Sequence, residues 1–323
     1  MSREILTSES LRKYFEAKGP LGRAGGTLRA VDGIDFSISD NRVFALVGES
    51  GCGKSTVARL VLRLIAPTSG RVLFKGKDVL SFAGDELKAY RKSVQIIFQD
   101  PFASLNPRRT VYDTISEPLL IHSIVPKNRF RDRVVEILGT VGLGPETLNR
   151  YPHEFSGGQR QRICIARALS VSPEIIVADE PLSALDVSIQ AQILNLLIDL
   201  KEKSRLSYLF ISHDLRVVHY LSDEVGVMYL GRIVEHAKTE ELFSKPFHPY
   251  TEVLLASAPK LKTEGERVRQ APLKGEVPSP VSIPPGCPFH PRCPRRFAPC
   301  DRIVPRFLES HGRLVSCHLW NPY

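Results

Sequence analysis

Hydrophobic residues along most of the chain alternate between short, nearly unbroken runs and runs with helical spacing. Runs of four or five such residues bounded by polar positions predict buried strands. They lie at 43–47, 94–98, 175–178, 208–211 and 225–228. The clearest helical pattern covers 189–203, where one face carries Ile193, Leu196, Leu197 and Leu200. Strands that alternate with helices favour an α/β fold with a mainly parallel sheet covered on both faces.

Other regions have weaker patterns. Residues 1–45 predict short strands separated by turns, with loosely alternating apolar positions around the turn dipeptide Asp32-Gly33. Glycines bound a further predicted strand at 70–76, and the stretch 101–158 has helical character. Helical spacing of apolar residues from Val57 to Ile65 predicts a helix there.

Composition is that of an ordinary globular protein, with 42% hydrophobic and 24% charged residues among 323. No run approaches the roughly eighteen apolar residues that a membrane-spanning helix requires. The first residues lack the apolar core of a signal peptide, so we expect a cytoplasmic location. The net charge of +9 is compatible with a nucleic acid, an anionic membrane surface or dispersed surface charge, and does not choose among them.

The last part of the chain differs in composition, because 14 of the 24 prolines lie from Lys245 onward. Such a segment is not expected to build long helices or central strands. It also lacks a regular apolar pattern for a large core. We therefore expect that another interaction holds it in place or that it is disordered.

The segment 46–56 contains a phosphate-binding motif. It fits G-x-x-x-x-G-K-[ST] between a predicted strand and a predicted helix. The glycines let consecutive N–H groups point at phosphates, Lys54 supplies an ammonium group, and the Ser55 hydroxyl is placed to ligate Mg²⁺. The predicted ATP contacts of this loop are Gly48, Glu49, Ser50, Gly51, Cys52, Gly53, Lys54, Ser55 and Thr56.

A second acidic motif follows the apolar run 175–178. In a phosphate-loop ATPase, Asp179 at the end of such a strand lies near Mg²⁺. Glu180 is then well placed to polarise the attacking water. Solvated acids at a helix start are the alternative, which the position after a buried strand disfavours.

The segment Phe155-Ser156-Gly157-Gly158-Gln159 stands between these motifs in the chain. With it, the sequence over about residues 5–240 resembles ATP-binding cassette (ABC) ATPases, in which the signature is L-S-G-G-Q. Phe155 stands in place of the usual leucine, which is a common departure. The resemblance implies a cassette with a parallel-sheet core, an antiparallel β subdomain and an inserted helical subdomain.

The resemblance also assigns roles to further residues. Gln99 corresponds to the Q-loop glutamine, with a role in catalysis and at Mg²⁺ beside Ser55 and Asp179. His213 corresponds to the switch histidine that contacts the γ-phosphate. The D-loop is represented by Ser183 and Asp186. For the aromatic residue that stacks on adenine we choose Phe15, with Tyr14 as the alternative.

In the resembled family the signature loop closes the nucleotide site of the opposite cassette. Ser156, Gly157, Gly158 and Gln159 would therefore act in trans, on ATP held by a partner chain. A pair of cassettes is implied, either two copies of this chain or, as we expect, this chain and a sibling ATPase.

Three segments resemble the ATPases of oligopeptide and dipeptide importers, namely 99–108, 247–251 and 284–318. The resemblance implies a core over 1–98 and 159–240, a helical subdomain over 99–158 and a C-terminal extension over 241–323. It further implies two membrane-spanning permease subunits, an extracytoplasmic substrate-binding protein as an indirect partner, and a peripheral position on the cytoplasmic face of the inner membrane. Import of nickel or another small solute is an alternative. A soluble ABC ATPase acting on nucleic acid or the ribosome is disfavoured by the single cassette without a long insertion, so no nucleic-acid partner is expected.

The extension contains four cysteines with the spacing C-x5-C-x6-C-x16-C, at Cys287, Cys293, Cys300 and Cys317. Four thiolates in a reducing compartment favour a metal over disulfides, and zinc, an iron–sulfur cluster and free thiols all remain open. The resembled extension implies a [4Fe-4S] cluster, for which we expect a structural role. We expect His290 and His318 to be surface residues, and Cys52 and Cys164 to be small packing residues.

Overall fold

The computed structural model describes residues 3–18, 24–257 and 276–321. The chain divides into two compact units, each made of segments that are distant in sequence. The first unit comprises Met1–Ile5, Ile38–Val43 and Lys77–Ile211. The second unit comprises Leu6–Ser37, Phe44–Gly76 and Ser212–Tyr323.

The first unit is built on three parallel strands in the order β8-β7-β6. Their bounds are Val94–Ile97 for β6, Ile175–Asp179 for β7 and Ser207–Ser212 for β8. The two-residue strand β5, Lys77–Asp78, belongs to the same unit. All but the last residue of β7 and every residue of β8 are buried, which confirms the predicted buried strands. Because the strands are parallel, their carboxyl ends share one edge.

Helices make up most of the rest of the first unit. Over 101–158 the predicted helical character is confirmed, and α7 buries Ile193, Leu197 and Leu200, three of the four residues of the predicted face. The helices are α2 Gly84–Ser93, α3 Pro101–Ser104, α4 Val111–Ile121, α5 Phe130–Thr140, α6 Gly157–Leu169 and α7 Val187–Ser204.

The second unit contains parts of two sheets. In one, β3 is parallel to β9, and β10, β12 and β11 continue antiparallel from β9. Their bounds are β3 Val43–Val47, β9 Glu224–Tyr229, β10 Arg232–Lys238, β11 Leu308–Ser310 and β12 Arg313–Val315.

The other sheet runs in the order β2-β1-β4, with β4 antiparallel to β1. The strands are β1 Glu4–Lys18, β2 Ala24–Ser39 and β4 Ser69–Phe74. The prediction of several short strands before residue 45 was therefore wrong, since two long strands occupy this region. A register shift between Glu9 and Arg12, with Ser10 at φ 44°, lets β1 continue through an irregularity that would otherwise end it.

Among the described residues, four helices belong to the second unit: α1 Lys54–Val61, α8 Leu215–Leu221, α9 Thr239–Ser244 and α10 Pro249–Ser257. The helix predicted to reach Ile65 ends at Val61. The N–H of Leu64 donates back to the carbonyl of Arg59 at 2.8 Å, and Arg63 adopts a left-handed φ of 52°. This turn directs Leu64 outward, where it is 59% exposed. None of the helices in the described ranges has the length and hydropathy needed to cross a bilayer.

Within the second unit, a buried carboxylate holds part of the proline-rich extension in place. Glu235 on β10 is fully buried and accepts hydrogen bonds from the N–H groups of Phe247 and His248, both at 2.8 Å. Arg313 on β12 places its guanidinium 3.7 Å from Glu235 and 4.1 Å from the centre of the Phe247 ring. Trp320 stacks on Phe247 with ring centres 4.0 Å apart. Short strands and this ionic cluster therefore hold the extension in place, where other segments have a large apolar core.

Replacing Arg313 with alanine tests this cluster. The Glu235 carboxylate would stay buried without its counter-charge, and breaking a buried ion pair in this way costs about 3 kcal/mol of unfolding free energy. Urea unfolding of the full chain, followed by the fluorescence of its single tryptophan, Trp320, measures the change. Arg302→Ala is the control, because that side chain is 82% exposed and is expected to change little. Equal unfolding midpoints for the two variants would contradict the assigned role.

Candidate nucleotide-binding site

The phosphate loop connects β3 to α1 in the second unit. Two of its glycines lie where a side chain has no room. A Cβ on Gly48 would approach the carbonyl oxygen of Met228 to 2.2 Å, and one on Gly53 would approach that of Ala30 to 2.1 Å. Both glycines have positive φ, 152° and 112°, which disfavours other residues. The loop backbone is therefore pressed against β2 and the end of β9, in the curled form that the motif predicts.

Lys54 is the charged residue of the loop, and its side chain is folded back along it. The residue is 5% exposed, and its ammonium donates to the carbonyls of Gly48 at 2.7 Å and Glu49 at 3.0 Å. No side chain caps the start of α1, where Lys54 is the first residue. Uncapped N–H groups and a buried ammonium favour an anion. The loop thus fits the triphosphate of a nucleotide.

Cys52 and Cys164 are both buried, which confirms the prediction that they are packing residues. Burial raises the pKa of the Cys52 thiol, against the opposing effect of Lys54, whose ammonium lies 3.7 Å from the sulfur. Burial also raises the pKa of Cys164, which contacts the Ser104 hydroxyl at 3.1 Å.

Glu49, the second residue of the loop, has two partners that the sequence did not reveal. Its N–H donates to the hydroxyl of Tyr250 at 2.9 Å. Its carboxylate accepts two hydrogen bonds from the guanidinium of Arg292, at 2.8 and 3.0 Å. This pairing raises the pKa of Arg292. Partners more than 200 positions away leave no local pattern by which they could be found.

In the first unit, the predicted catalytic acids stand at the carboxyl end of β7. Asp179 is its last residue and Glu180 follows it. Glu180 adopts a left-handed φ of 48°, an uncommon conformation for a residue with a side chain. Its N–H donates to the carbonyl of Ile211 at 2.9 Å, and its carboxylate accepts a hydrogen bond from the Gln99 amide at 3.2 Å. The structure thus brings together Glu180 and Gln99, two of the predicted catalytic residues.

The signature segment forms the start of α6, also in the first unit. Ser156 is the N-cap, and its hydroxyl accepts from the N–H of Gln159 at 3.4 Å while the Gln159 side chain accepts from the N–H of Ser156 at 3.1 Å. This reciprocal capping box orders the segment locally. Gly158 leaves space for Ile189, whose Cγ2 would lie 2.4 Å from an added Cβ. Ser156 and Gln159 remain exposed to solvent.

The D-loop lies between β7 and α7. The Ser183 hydroxyl donates to the carbonyl of Glu180 at 3.0 Å, and Asp186 is the N-cap position of α7. Gln190, which the sequence did not single out, donates to the carbonyls of Leu182 and Leu185, both at 3.0 Å. Its amide therefore braces the turn that carries Ser183.

His213 and the candidate adenine-binding aromatics lie in the second unit. His213 is exposed, directly between β8 and Asp214, the N-cap of α8. Phe15 is 39% exposed with the Lys13 ammonium 5.0 Å from its ring centre, whereas the hydroxyl of Tyr14 is bonded to Asp32. An exposed ring keeps Phe15 as the better candidate for stacking.

The four C-terminal cysteines line one pocket, together with His290 and His318. Burial raises the pKa of Cys287 to about 12 and that of Cys317 to about 11, and neighbouring thiols add to both shifts. Within the described ranges, no group of three His, Cys, Asp or Glu side chains has the arrangement for a metal ion. The surface position expected for His318 was wrong: it is 6% exposed, with its ring nitrogen 2.9 Å from the carbonyl of Ile303.

Comparison with known proteins identifies the cassette. Residues 31–183 match the family model of ABC transporters, and residues 234–300 match that of the oligopeptide/dipeptide transporter C-terminal region. The chain is 50% identical to the oligopeptide transport ATP-binding protein AppF of Bacillus subtilis, with 98% of both chains covered. It is 45% identical to the dipeptide transport ATP-binding protein DppF of Escherichia coli, over 98% of this chain and 95% of that one.

The chain belongs to the ATP-binding proteins of ABC transporters.

Solved structures agree with this assignment. The ATP-binding cassette MJ0796, solved as a dimer in a post-hydrolysis state with ADP and phosphate, superposes with a TM-score of 0.65 and 26% identity, covering 73% of this chain and 99% of that one. The structure of cbiO1 from Clostridium perfringens, part of the ABC transporter complex cbiONQ, gives a TM-score of 0.64 and 28% identity, over 75% of this chain and 91% of that one. The predicted cassette fold is confirmed, and the chain is an ABC transporter ATPase.

Alanine substitution at two loop glycines separates steric contact from backbone strain in this ABC ATPase. Gly53→Ala meets the Ala30 carbonyl, whereas Gly51→Ala meets nothing within 4 Å and adds only the cost of its φ of 79°. We expect Gly53→Ala to weaken ATP binding at least about tenfold more than Gly51→Ala, since about 1.4 kcal/mol of extra strain corresponds to a factor of ten. Equilibrium titration with ATP measures both. Equal affinities would mean that the close approach does not shape the loop.

Proposed function

We propose that this chain is the ATPase subunit that powers import of dipeptides and oligopeptides through an ABC transporter. The observation that carries the proposal is the full-length similarity to ATP-binding proteins of peptide transporters, which extends into the C-terminal region at 234–300. That region lies outside the cassette model at 31–183, so it distinguishes this group from ABC ATPases in general. Peptide transport is therefore a better-supported substrate class than other solutes.

Three divisions of the chain follow from this proposal. The core covers 1–98 and 159–240, the helical subdomain 99–158, and the extension 241–323. The helices α3, α4 and α5 support the second division, and the Glu235–Arg313 cluster supports a third part attached to β10.

In the proposed mechanism the phosphate loop holds the nucleotide and the acids after β7 prepare hydrolysis. The loop N–H groups and Lys54 bind the phosphates, with Phe15 on the adenine. Ser55, Gln99 and Asp179 would hold Mg²⁺, which supplies charge neutralisation at the phosphates. Glu180 polarises the attacking water, and His213 contacts the γ-phosphate. Since phosphoryl transfer depends on positioning and electrostatics, the Gln99–Glu180 hydrogen bond is consistent with an acid held ready for its role.

We propose that catalysis requires a pair of cassettes. Ser156, Gly157, Gly158 and Gln159 would close the nucleotide site of a partner, and a sibling ATPase is the expected partner. The exposed Ser156 and Gln159 at the start of α6 support this role, because they are ordered without being covered by their own chain. The dimeric cassette structure supports the pairing.

Coupling to transport would use the helical subdomain. Residues near 99–120 would receive a cytoplasmic helix of one of two permease subunits, at the cytoplasmic face of the inner membrane. Exposed apolar side chains in this part of the chain support such a contact, namely Phe98, Phe102, Leu120 and Ile121. Peptide selection would lie with an extracytoplasmic binding protein.

Glu180→Gln tests the catalytic assignment. The amide cannot act as a base, so we expect ATP hydrolysis to fall at least about 100-fold while ATP binding is preserved. The measurement uses the chain copurified with its permease subunits and sibling ATPase. Glu174→Gln, just before the other end of β7, is the control and should hydrolyse normally. Full activity of the Glu180 variant would refute this residue as the base.

We further propose that Cys287, Cys293, Cys300 and Cys317 hold a [4Fe-4S] cluster with a structural role. The four residues line one pocket, and four cysteine thiolates are the usual ligands of a [4Fe-4S] cluster. Zinc bound by the same four thiolates is the alternative. Metal binding would supply folding free energy to a segment without a large core.

Iron analysis of anaerobically purified chain tests this proposal. We expect about four iron atoms per chain and absorbance at about 400 nm, both lost in Cys300→Ser. Cys164→Ser, which changes a cysteine outside the extension, should retain both. Colourless protein with stoichiometric zinc would exclude the cluster.

A further inference from the structure

The cysteine-bearing segment and the phosphate loop are joined by a partly buried ion pair. Arg292 and Glu49 form a two-point contact at 2.8 and 3.0 Å, with side chains only 5% and 21% exposed. A guanidinium bonded in this way to a carboxylate fixes its direction as well as its charge. Solvent screens the pair little at this degree of burial.

The same loop residue is held a second time, through its backbone. The Tyr250 hydroxyl accepts the N–H of Glu49 at 2.9 Å. Tyr250 is fully buried, with its ring centre 4.7 Å from that of Tyr229 and 5.3 Å from that of Phe289. Both the side chain and the N–H of Glu49 are therefore fixed by residues from 250 onward.

The position of Arg292 depends in turn on the cysteine segment. Arg292 ends a 3₁₀ turn, His290–Arg292, that lies between Cys287 and Cys293. Its N–H donates to the carbonyl of Phe289 at 3.0 Å, and the N–H of Cys287 donates to the carbonyl of Cys300 at 2.8 Å. Arg292 thus lies between Cys287 and Cys293 in the chain, and a hydrogen bond to Cys300 holds Cys287 in place.

The charge of Glu49 links its contact with Arg292 to the binding of a triphosphate. Glu49 puts a carboxylate into a loop whose N–H groups and Lys54 suit anions. An unpaired carboxylate there would repel the phosphates, and like charges in a partly buried site interact strongly. The guanidinium of Arg292 offsets this charge and fixes the direction of the Glu49 carboxylate.

We propose that Arg292 is a positioning residue for ATP, through which the segment 287–300 sets the nucleotide affinity of the phosphate loop. This inference rests on the proposed ATPase function and adds a control element to it. Any change that displaces the cysteine segment would free the Glu49 carboxylate and weaken ATP binding at a distance.

Titration of the full chain with the nonhydrolysable analogue AMP-PNP and Mg²⁺, by calorimetry, tests the proposal. We expect Arg292→Ala to bind at least about tenfold more weakly than the parent chain. Arg295→Ala is the matched control, since this arginine lies three positions away and pairs with Glu252 on α10 at 2.7 Å. Equal affinities of the two variants would overturn the proposal.

A double variant distinguishes action through Glu49 from a general structural effect. If Arg292 acts by neutralising the Glu49 carboxylate, the double variant Glu49→Gln, Arg292→Ala binds the analogue no more weakly than Arg292→Ala alone. A further loss in the double variant would overturn the proposal. If Arg292→Ala does not fold, Arg292→Lys, which keeps the charge without the two-point contact, must bind more weakly than Arg295→Lys, and equality would refute the inference.

The parent chain separates the two levels of inference. Failure of the unmodified chain to bind AMP-PNP with Mg²⁺ would refute the proposed ATPase function itself. Normal binding by the parent and by both Arg292 variants would leave the ATPase assignment intact and refute only the control by segment 287–300.

Discussion

The tight packing of the phosphate loop against two backbone carbonyls is the constraint on which the nucleotide site depends. Gly48 lies against Met228 and Gly53 against Ala30, with no space for a Cβ at either place. The turn after β9 adds a further bond, from the N–H of Gly231 to the carbonyl of Cys52 at 2.9 Å. The loop is therefore shaped by the sheets around it, which set the directions of its N–H groups.

Two ion pairs between a carboxylate and an arginine hold the C-terminal extension in place. Glu235 forms an ion pair with Arg313 of the extension, and Glu49 forms one with Arg292 of the extension. Buried ion pairs contribute little net stability compared with apolar packing, but they permit few alternative arrangements. For a proline-rich segment with short strands, such pairs specify where it attaches. This arrangement also brings the cysteine segment into contact with the phosphate loop.

Local chemistry explains why much of the candidate site was predictable. The capping box of Ser156 and Gln159, the left-handed glycines of the phosphate loop and the acids that end β7 all arise from residues within a few positions of one another. Apolar periodicity similarly placed the buried strands and α7. The predictions of element bounds were wrong where backbone conformation or contacts with distant residues set the bounds. Strand β1 continues past the irregularity at Ser10, and helix α1 ends before Arg63, which has a left-handed φ.

By itself, the sequence determined the cassette class, the residues of the nucleotide motifs and the presence of a separate cysteine-bearing end, because each is written in short-range spacing. Tertiary structure alone decided that Tyr250 and Arg292 hold Glu49, that Glu235 anchors the extension, and that His318 is buried. These contacts join positions far apart in the chain, and their energies depend on burial and on the direction of a few polar groups. The burial and the direction of these polar groups cannot be derived from any pattern along the chain.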